Sequence, residues 1–384
     1  MKLRKLSIFF IAVAILLGGC DRGATPGPIL SENDYLNENN HQGSDMEDRP
    51  GINTDIQIVT EDDTLPPREG MVRSRLTNEW VDEEVNETRP IAVMVPNESG
   101  AIPHYNLSKA SVLYEANMEG RVTRLMAVFE DWEDLVRIGN IRSARTYFAY
   151  WAFEWDAFFV HYGGPYYINE LMDQEYTENI DGLGGDGNAF YRSKDRPEPH
   201  NVYADGDKLL DRIERRGYSL SYRDLTDESH FLFATKAEPN TLAQYGSDAH
   251  NAAYIDMSGC YPLTRCYFEY NDEDGLYYRS QHLSGATDEP HTDADGVQLS
   301  FKNILVQYTK QETLDDKGYL VLQCHDDTRD GWFFTNGRGI HVNWAKDSDY
   351  GVTKYYDDYG NEITLNTGKT MICIVNENDS FTFR

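Results

Sequence analysis

The sequence predicts an exported protein with an α+β or α/β N-terminal domain built on a mixed sheet, followed by a mostly antiparallel β domain. Three observations carry this. Short apolar runs between residues 91 and 162 alternate with one aromatic segment of helical character. From residue 252 onward, strand-length runs recur with Gly, Asn and Asp between them, the pattern of hairpins. The chain also holds 26 Tyr, 16 Phe and 6 Trp, enough for substantial cores in the roughly 300 residues that follow its polar N-terminal part.

Taken in order, Lys2, Arg4 and Lys5 precede the apolar run 6–17, which Leu17-Gly18-Gly19-Cys20 closes. A basic start, a short apolar centre and small residues before a cleavage point make a signal peptide over residues 1–20. The run is shorter than the ~20 residues a spanning helix needs. Cys20 follows the small residues as in a bacterial lipobox and is the expected lipidation site. It would tie the chain to the lipid membrane, on the outer face of the bacterial cytoplasmic membrane. Residues 21–70 carry 12 Asp and Glu against 3 Arg, with few aromatics, and read as a disordered acidic tether.

The first domain is expected over residues 71–236. Runs 91–95, 111–116 and 123–129 read as strands. A two-residue turn at Glu119-Gly120 would join the last two and set Glu115 opposite Arg124. A helix is expected from about Ser143 through Trp155, then a buried strand over 157–162 ending at His161 and Gly163-Gly164. The loop 181–187 reads as flexible, and helical periodicity returns over 205–216.

Five arginines fall between Arg121 and Arg145 in a protein of formal net charge −30. Arg142 and Arg145, three apart at the expected helix start, would share a face where free N–H groups already favour anions. With Arg124, and with His200 and Asn201 in a Pro-flanked loop, they predict an anion-binding cleft. Glu115, Glu119 and His161 are the candidate acid–base groups. Each has a plainer role: Glu115 can pair with Arg124, and His161 can be a hydrogen-bonded core residue.

These residues carry a resemblance. RPIAVMVPN, LSKASVLYEANMEGRVTRLMAVFE, IGNIRSARTYFAYWA, FFVHYGG, FYR and PHNVY come in the order and spacing of the YerB-like bacterial lipoproteins. The resemblance covers roughly residues 75–384. It implies a lipoprotein with two domains of unknown function, and no reaction. Asn140 stands where that family tends to have proline, and Pro165 where serine is usual.

The second domain is expected over residues 250–384 as short strands in an antiparallel sheet or barrel. Arg279, His291 and Asp293 match family positions and are read as completing a cleft between the domains. Cys260, Cys266, Cys324 and Cys373 lack CxxC spacing. Any disulfide would join Cys260 to Cys266 or Cys324 to Cys373, with buried thiols as the alternative. The Asp-rich spots lack a full calcium loop, and neither a metal nor another cofactor is expected. The acidic balance argues against nucleic acid as a partner.

Two functional readings stand. One is a surface-tethered lipoprotein binding an anionic cell-envelope ligand. The other is an envelope-polymer hydrolase or transferase using Glu/His acid–base chemistry. The enzyme requires a carboxylate free of arginine; the binder requires every carboxylate at the site to be neutralised by one.

Overall fold

The computed structural model describes residues 64–223, 225, 229–282 and 288–384. The signal peptide, Cys20 and the tether as far as residue 63 lie outside the described residues. The first family of strands is β1 (Ile91–Pro96), β2 (Val112–Asn117) and β3 (Thr123–Phe129), followed by helix α1 (Thr146–Phe153), β4 (Phe158–His161), β5 (Asn179–Asp181) and helix α2 (Gly206–Arg216). The later part supplies β6 (His250–Asn251), β7 (Tyr254–Asp256), β8 (Tyr267–Asn271), β9 (Leu276–Gln281), β10 (Asn303–Thr309), β11 (Asp326–Thr335), β12 (Arg338–Lys346) and β13 (Thr370–Asn376).

Among the described residues, eleven strands form one sheet with the path β6-β12-β11-β10-β13-β2-β3-β1-β4-β5, and Lys354–Tyr356 pairs off it with β12. The sheet is mixed. β10, β13 and β2 run parallel to one another, as do β1, β4 and β5, while β3 lies antiparallel between β2 and β1. Strands from both expected domains therefore share one ladder, joined where β13 pairs with β2 from Thr370–Val112 to Ile374–Ala116. The later part is otherwise mostly antiparallel, with a second, six-stranded sheet around β7, β8 and β9.

The central strands are apolar at nearly every position because both their faces are covered. On one face Leu113, Leu125 and Ala127 pack with Leu209 and Ile213 of α2 and with Ile255, Phe268 and Tyr277 of the second sheet. On the other, Tyr114, Ala116, Met126 and Val128 pack with Tyr147, Phe148 and Trp151 of α1. α2 ends where Gly217 takes a left-handed φ of 73°, a conformation that glycine adopts without a Cβ penalty.

Three expectations are corrected. The β2–β3 connection is one residue longer than a two-residue turn: Asn117 pairs with Thr123 and Ala116 with Arg124, and the Met118 N–H donates to the Val122 carbonyl at 2.7 Å. Gly120 and Arg121 both take positive φ there, 71° and 60°. This one-residue shift moves Glu115 to the opposite face from Arg124, since side chains alternate along a strand. Second, α1 begins at Thr146, and Arg145 is its extended N-cap residue with φ −139° and ψ 149°. Arg142 lies before the helix, so the three-apart helical argument does not apply to it. Third, Asp186 in the expected flexible loop is buried and bridged by Arg212 and Arg216. Cys260, Cys266, Cys324 and Cys373 are all free and buried, which is the alternative the sequence left open.

Candidate functional site

Strands β1, β2 and β4 all end at one edge of the sheet, and the loops that follow them meet the start of α1 there. Ligand sites of parallel α/β sheets form outside such carboxyl ends. The loop after β1 contributes Glu98 and Gly100, the loop after β2 Glu119, and the turn after β4 Gly163 to Tyr167.

Arg124 opens β3 on the α1 side of the sheet. It is buried, and Nη1 donates to the Ser143 carbonyl at 2.5 Å, while Nε has no partner. Burial, with Arg145 and Arg142 acting on it, holds its guanidinium down to about 9. Arg142 is fixed to β1 by its N–H bond to the Met94 carbonyl at 2.9 Å; its Nη1 donates to the Pro199 carbonyl at 3.2 Å and its buried Nε is unpartnered. Arg145 grips Glu119 with two bonds, Nε to Oε1 at 3.0 Å and Nη2 to Oε2 at 2.7 Å. Burial pushes the Glu119 carboxyl up, but the Arg145 fork outweighs it and leaves Glu119 below the usual carboxylate range.

His200 lies against Gly100, where an added Cβ would stand 3.0 Å from the ring. Its Nδ1 is 3.5 Å from Glu98 Oε2. Burial lowers its pKa, Glu98 opposes this, and Arg142, Arg196 and Arg124 reinforce it. Arg142 and Arg145 each act on Arg124, and Arg124 and Arg142 act on His200. Arg196, Glu98, Tyr147 and Tyr167 complete the group and were not singled out from the sequence. Tyr167 Oη is buried without a partner, and burial raises the phenol to about 12 although Arg145 opposes it. The GGPYY run was the available signal for Tyr167; nothing local marks Glu98 or Arg196.

Asn201 stands apart, accepting from Arg192 Nη1 at 2.7 Å and donating to the Ser193 carbonyl at 3.1 Å. His161 is buried and engaged at both ring nitrogens, Nδ1 with the Gly163 carbonyl at 3.0 Å and Nε2 with Asn179 Oδ1 at 3.3 Å. It holds the strand end together, and burial lowers its pKa.

Glu115 belongs to a different network, on the far face of the sheet. Arg279 Nη2 donates to its Oε2 at 2.8 Å, both side chains fully buried at 0% exposure, and Asn97 Nδ2 donates to its Oε1 at 3.1 Å. Arg279 Nη1 also donates to His291 Nδ1, so His291 must carry its proton on Nε2 and donate to His104 Nδ1 at 3.0 Å. His104 in turn carries its proton on Nε2 and donates to the Pro96 carbonyl at 2.7 Å. Each group thereby fixes the next tautomer. Arg279, His291 and Asp293 were expected to complete a cleft between the domains. They are buried instead, and Asp293 accepts from the Leu107 and Ser108 N–H groups at 3.0 and 2.7 Å.

A third cluster surrounds Glu154, which accepts from Tyr114 Oη and from Thr353 N and Oγ1 and lies 3.4 Å from Lys346 Nζ. Burial raises this carboxyl, but Lys346 and His230 outweigh it and hold it near about 2. Glu154 lines a cavity of about 430 Å³ with Trp155, Tyr222, His230 and Phe231.

The chain matches two profiles, described as the N-terminal domain of a protein of unknown function (DUF3048), over residues 76–219, and the C-terminal domain of the same, over residues 258–372. It is 28% identical over 323 residues to YerB of Bacillus subtilis (strain 168), provisionally named a lipoprotein, covering 83% of this chain and 90% of that one. The chain belongs to the YerB-like family. The crystal structure of that family member superposes with a TM-score of 0.68 at 27% identity, across 81% of this chain and 99% of the crystallised chain. The family's two regions of unknown function are thus both present here, and their strands meet in the β13–β2 ladder.

Proposed function

We propose that this protein is a surface-tethered lipoprotein, anchored through lipidated Cys20 on the outer face of the cytoplasmic membrane, that binds an anionic cell-envelope ligand at Arg124 and Arg142. The observation that carries the reading is the state of Arg124. Its guanidinium is buried, depressed to about 9 by burial and two neighbouring arginines, and keeps an unpartnered Nε. Arg142 Nε and Tyr167 Oη are also buried and without partners. Charged donors left unsatisfied in the protein interior are costly, and an anion would complete them. Glu98 acts on Arg124 and His200, and Glu119 on Arg145, in the company of Arg124, Arg142, Arg145 and Arg196.

The acid–base reading loses the candidates the sequence named, while Glu98, bonded to no arginine among the described residues, stands 3.5 Å from His200 Nδ1 as the one site carboxylate left to it. Glu115 and Glu119 are each held by an arginine, and both nitrogens of His161 are engaged. The relative's name as a lipoprotein supports the anchoring.

Calorimetric titration of the chain from residue 21 onward with inorganic phosphate tests the site. Saturable binding that weakens with salt and is lost in Arg142→Ala is the expected outcome; no heat at millimolar phosphate refutes it. Labelling of the intact chain in cells with a radioactive fatty acid should disappear in Cys20→Ser.

A further inference from the structure

Beside the arginines, the turn after β4 meets a hairpin tip from the later part of the chain. Tyr166 is 60% exposed, yet it is held on several sides. Its hydroxyl donates to Asp315 Oδ2 at 3.1 Å, and Lys317 Nζ stands 4.9 Å from its ring centre. Tyr167 and Tyr319 meet it edge-on, with ring centres 5.7 and 6.4 Å away, and meet each other at 5.2 Å. An exposed aromatic ring gains little from burial here, and its fixing costs side-chain entropy. A pre-ordered exposed ring lowers the cost of receiving a ligand.

Arg145 connects this platform to the anion site. Its guanidinium lies 5.6 Å from the Tyr319 ring centre, and its charge also acts on Arg124. Tyr167 does the same, its ring in the platform and its unpartnered hydroxyl in the field of Arg145. Resting on the anion-site reading above, we infer that the ligand is a phosphate-bearing sugar: the phosphate lies on Arg124 and Arg142 and the sugar ring on Tyr166. The C–H face of a pyranose stacks on an aromatic ring, while its hydroxyls need a polar rim. Asp315, which accepts from Tyr166 Oη, supplies that rim. An extended acidic peptide would use the arginines but has no comparable need for a fixed tyrosine face edged by a carboxylate.

The test is calorimetric titration of the chain from residue 21 onward with inorganic phosphate, N-acetylglucosamine, N-acetylglucosamine 1-phosphate and hexaglutamate. The sugar phosphate is expected to bind at least about tenfold more tightly than phosphate. Tyr166→Ala should remove that gain and leave phosphate binding unchanged, because Tyr166 is exposed and its loss does not touch the arginines. Tyr166→Phe, which keeps the ring, should retain most of the gain. Arg142→Ala should abolish binding of both phosphate and sugar phosphate. Equal affinity for phosphate and sugar phosphate overturns the platform while leaving the anion site standing. Hexaglutamate binding more tightly than the sugar phosphate overturns the glycan in favour of a peptide. Absence of binding by every probe overturns both readings.

Discussion

Arg124 and Glu115 show how position on a strand decides what a charged residue does. Both are buried within the same pair of strands, but Glu115 has Arg279, whereas among the described residues no carboxylate is bonded to Arg124. Replacing Glu115 with Ala would leave the Arg279 charge buried and uncompensated. The expected loss is about 3–5 kcal/mol, the range for breaking a buried pair, with anion affinity unchanged in whatever fraction folds. Arg142→Ala should behave in the opposite way, costing at most about 1 kcal/mol for its one bond to Pro199 and abolishing phosphate binding. Arg145→Ala should fall between the two, because it strands Glu119 in a half-buried site and costs about 2 kcal/mol. Urea midpoints of the three variants, set beside their phosphate titrations, separate these outcomes. Loss of several kcal/mol in Arg142→Ala would make that arginine structural. At this scale, the arginines of the site were readable from the sequence as residue types in an acidic chain. The partners that distinguish them were not.

At the level of elements, the chain from Arg279 through His291 and His104 to Pro96 ties β9 to the end of β1. Both imidazoles are held neutral. Burial, opposed by the Pro96 carbonyl and helped by Arg196, Arg279 and His200, lowers His104 to about 3. Burial, Arg279 and His104 lower His291 well below its ordinary value. The folded pKa of His104 is thus below the unfolded value near ~6.5. Between those values the unfolded chain binds more protons, so stability rises with pH. The contribution is complete above about 6.5 and is lost as pH falls toward about 3. Denaturant midpoints measured from pH 7 to 4.5 should fall steadily, and His104→Gln should flatten that slope while lowering stability at pH 7. An unchanged slope would place the titration elsewhere. Glu154 adds a separate loss at lower pH, since its folded pKa near about 2 lies below the unfolded carboxyl. The strands of this region were legible because continuous apolar runs such as Ile91 to Val95 need both faces buried. The β2–β3 register was not, since Glu119-Gly120-Arg121 closes the hairpin through two positive φ angles that composition does not announce.

For the whole molecule, the eleven-stranded sheet runs through both family regions, and the described residues form one compact unit. Scanning calorimetry of the chain from residue 21 onward should show a single transition. A fragment ending near residue 240 should not fold alone, because β2 would lose its ladder with β13 and one core face would lose the second sheet. Two resolved transitions, or a folded fragment, would show that the halves are independent. The four described thiols are buried within this unit, so Ellman's reagent should reach them only on unfolding.

The sequence by itself determined strands β1 to β4, helices α1 and α2, the mostly antiparallel later part and the family, because apolar periodicity and local motif spacing are properties of neighbouring residues. It also determined that arginines gather near residues 121–145 of a chain with net charge −30. Tertiary structure alone decided which charges meet. Glu115 is neutralised by Arg279, 164 positions away, and Arg145 stands over Tyr319 from the later half of the chain. Such pairings depend on which sheet face a side chain takes and which strand lies next to it. A one-residue change in a hairpin alters the first, and the parallel β13–β2 ladder sets the second.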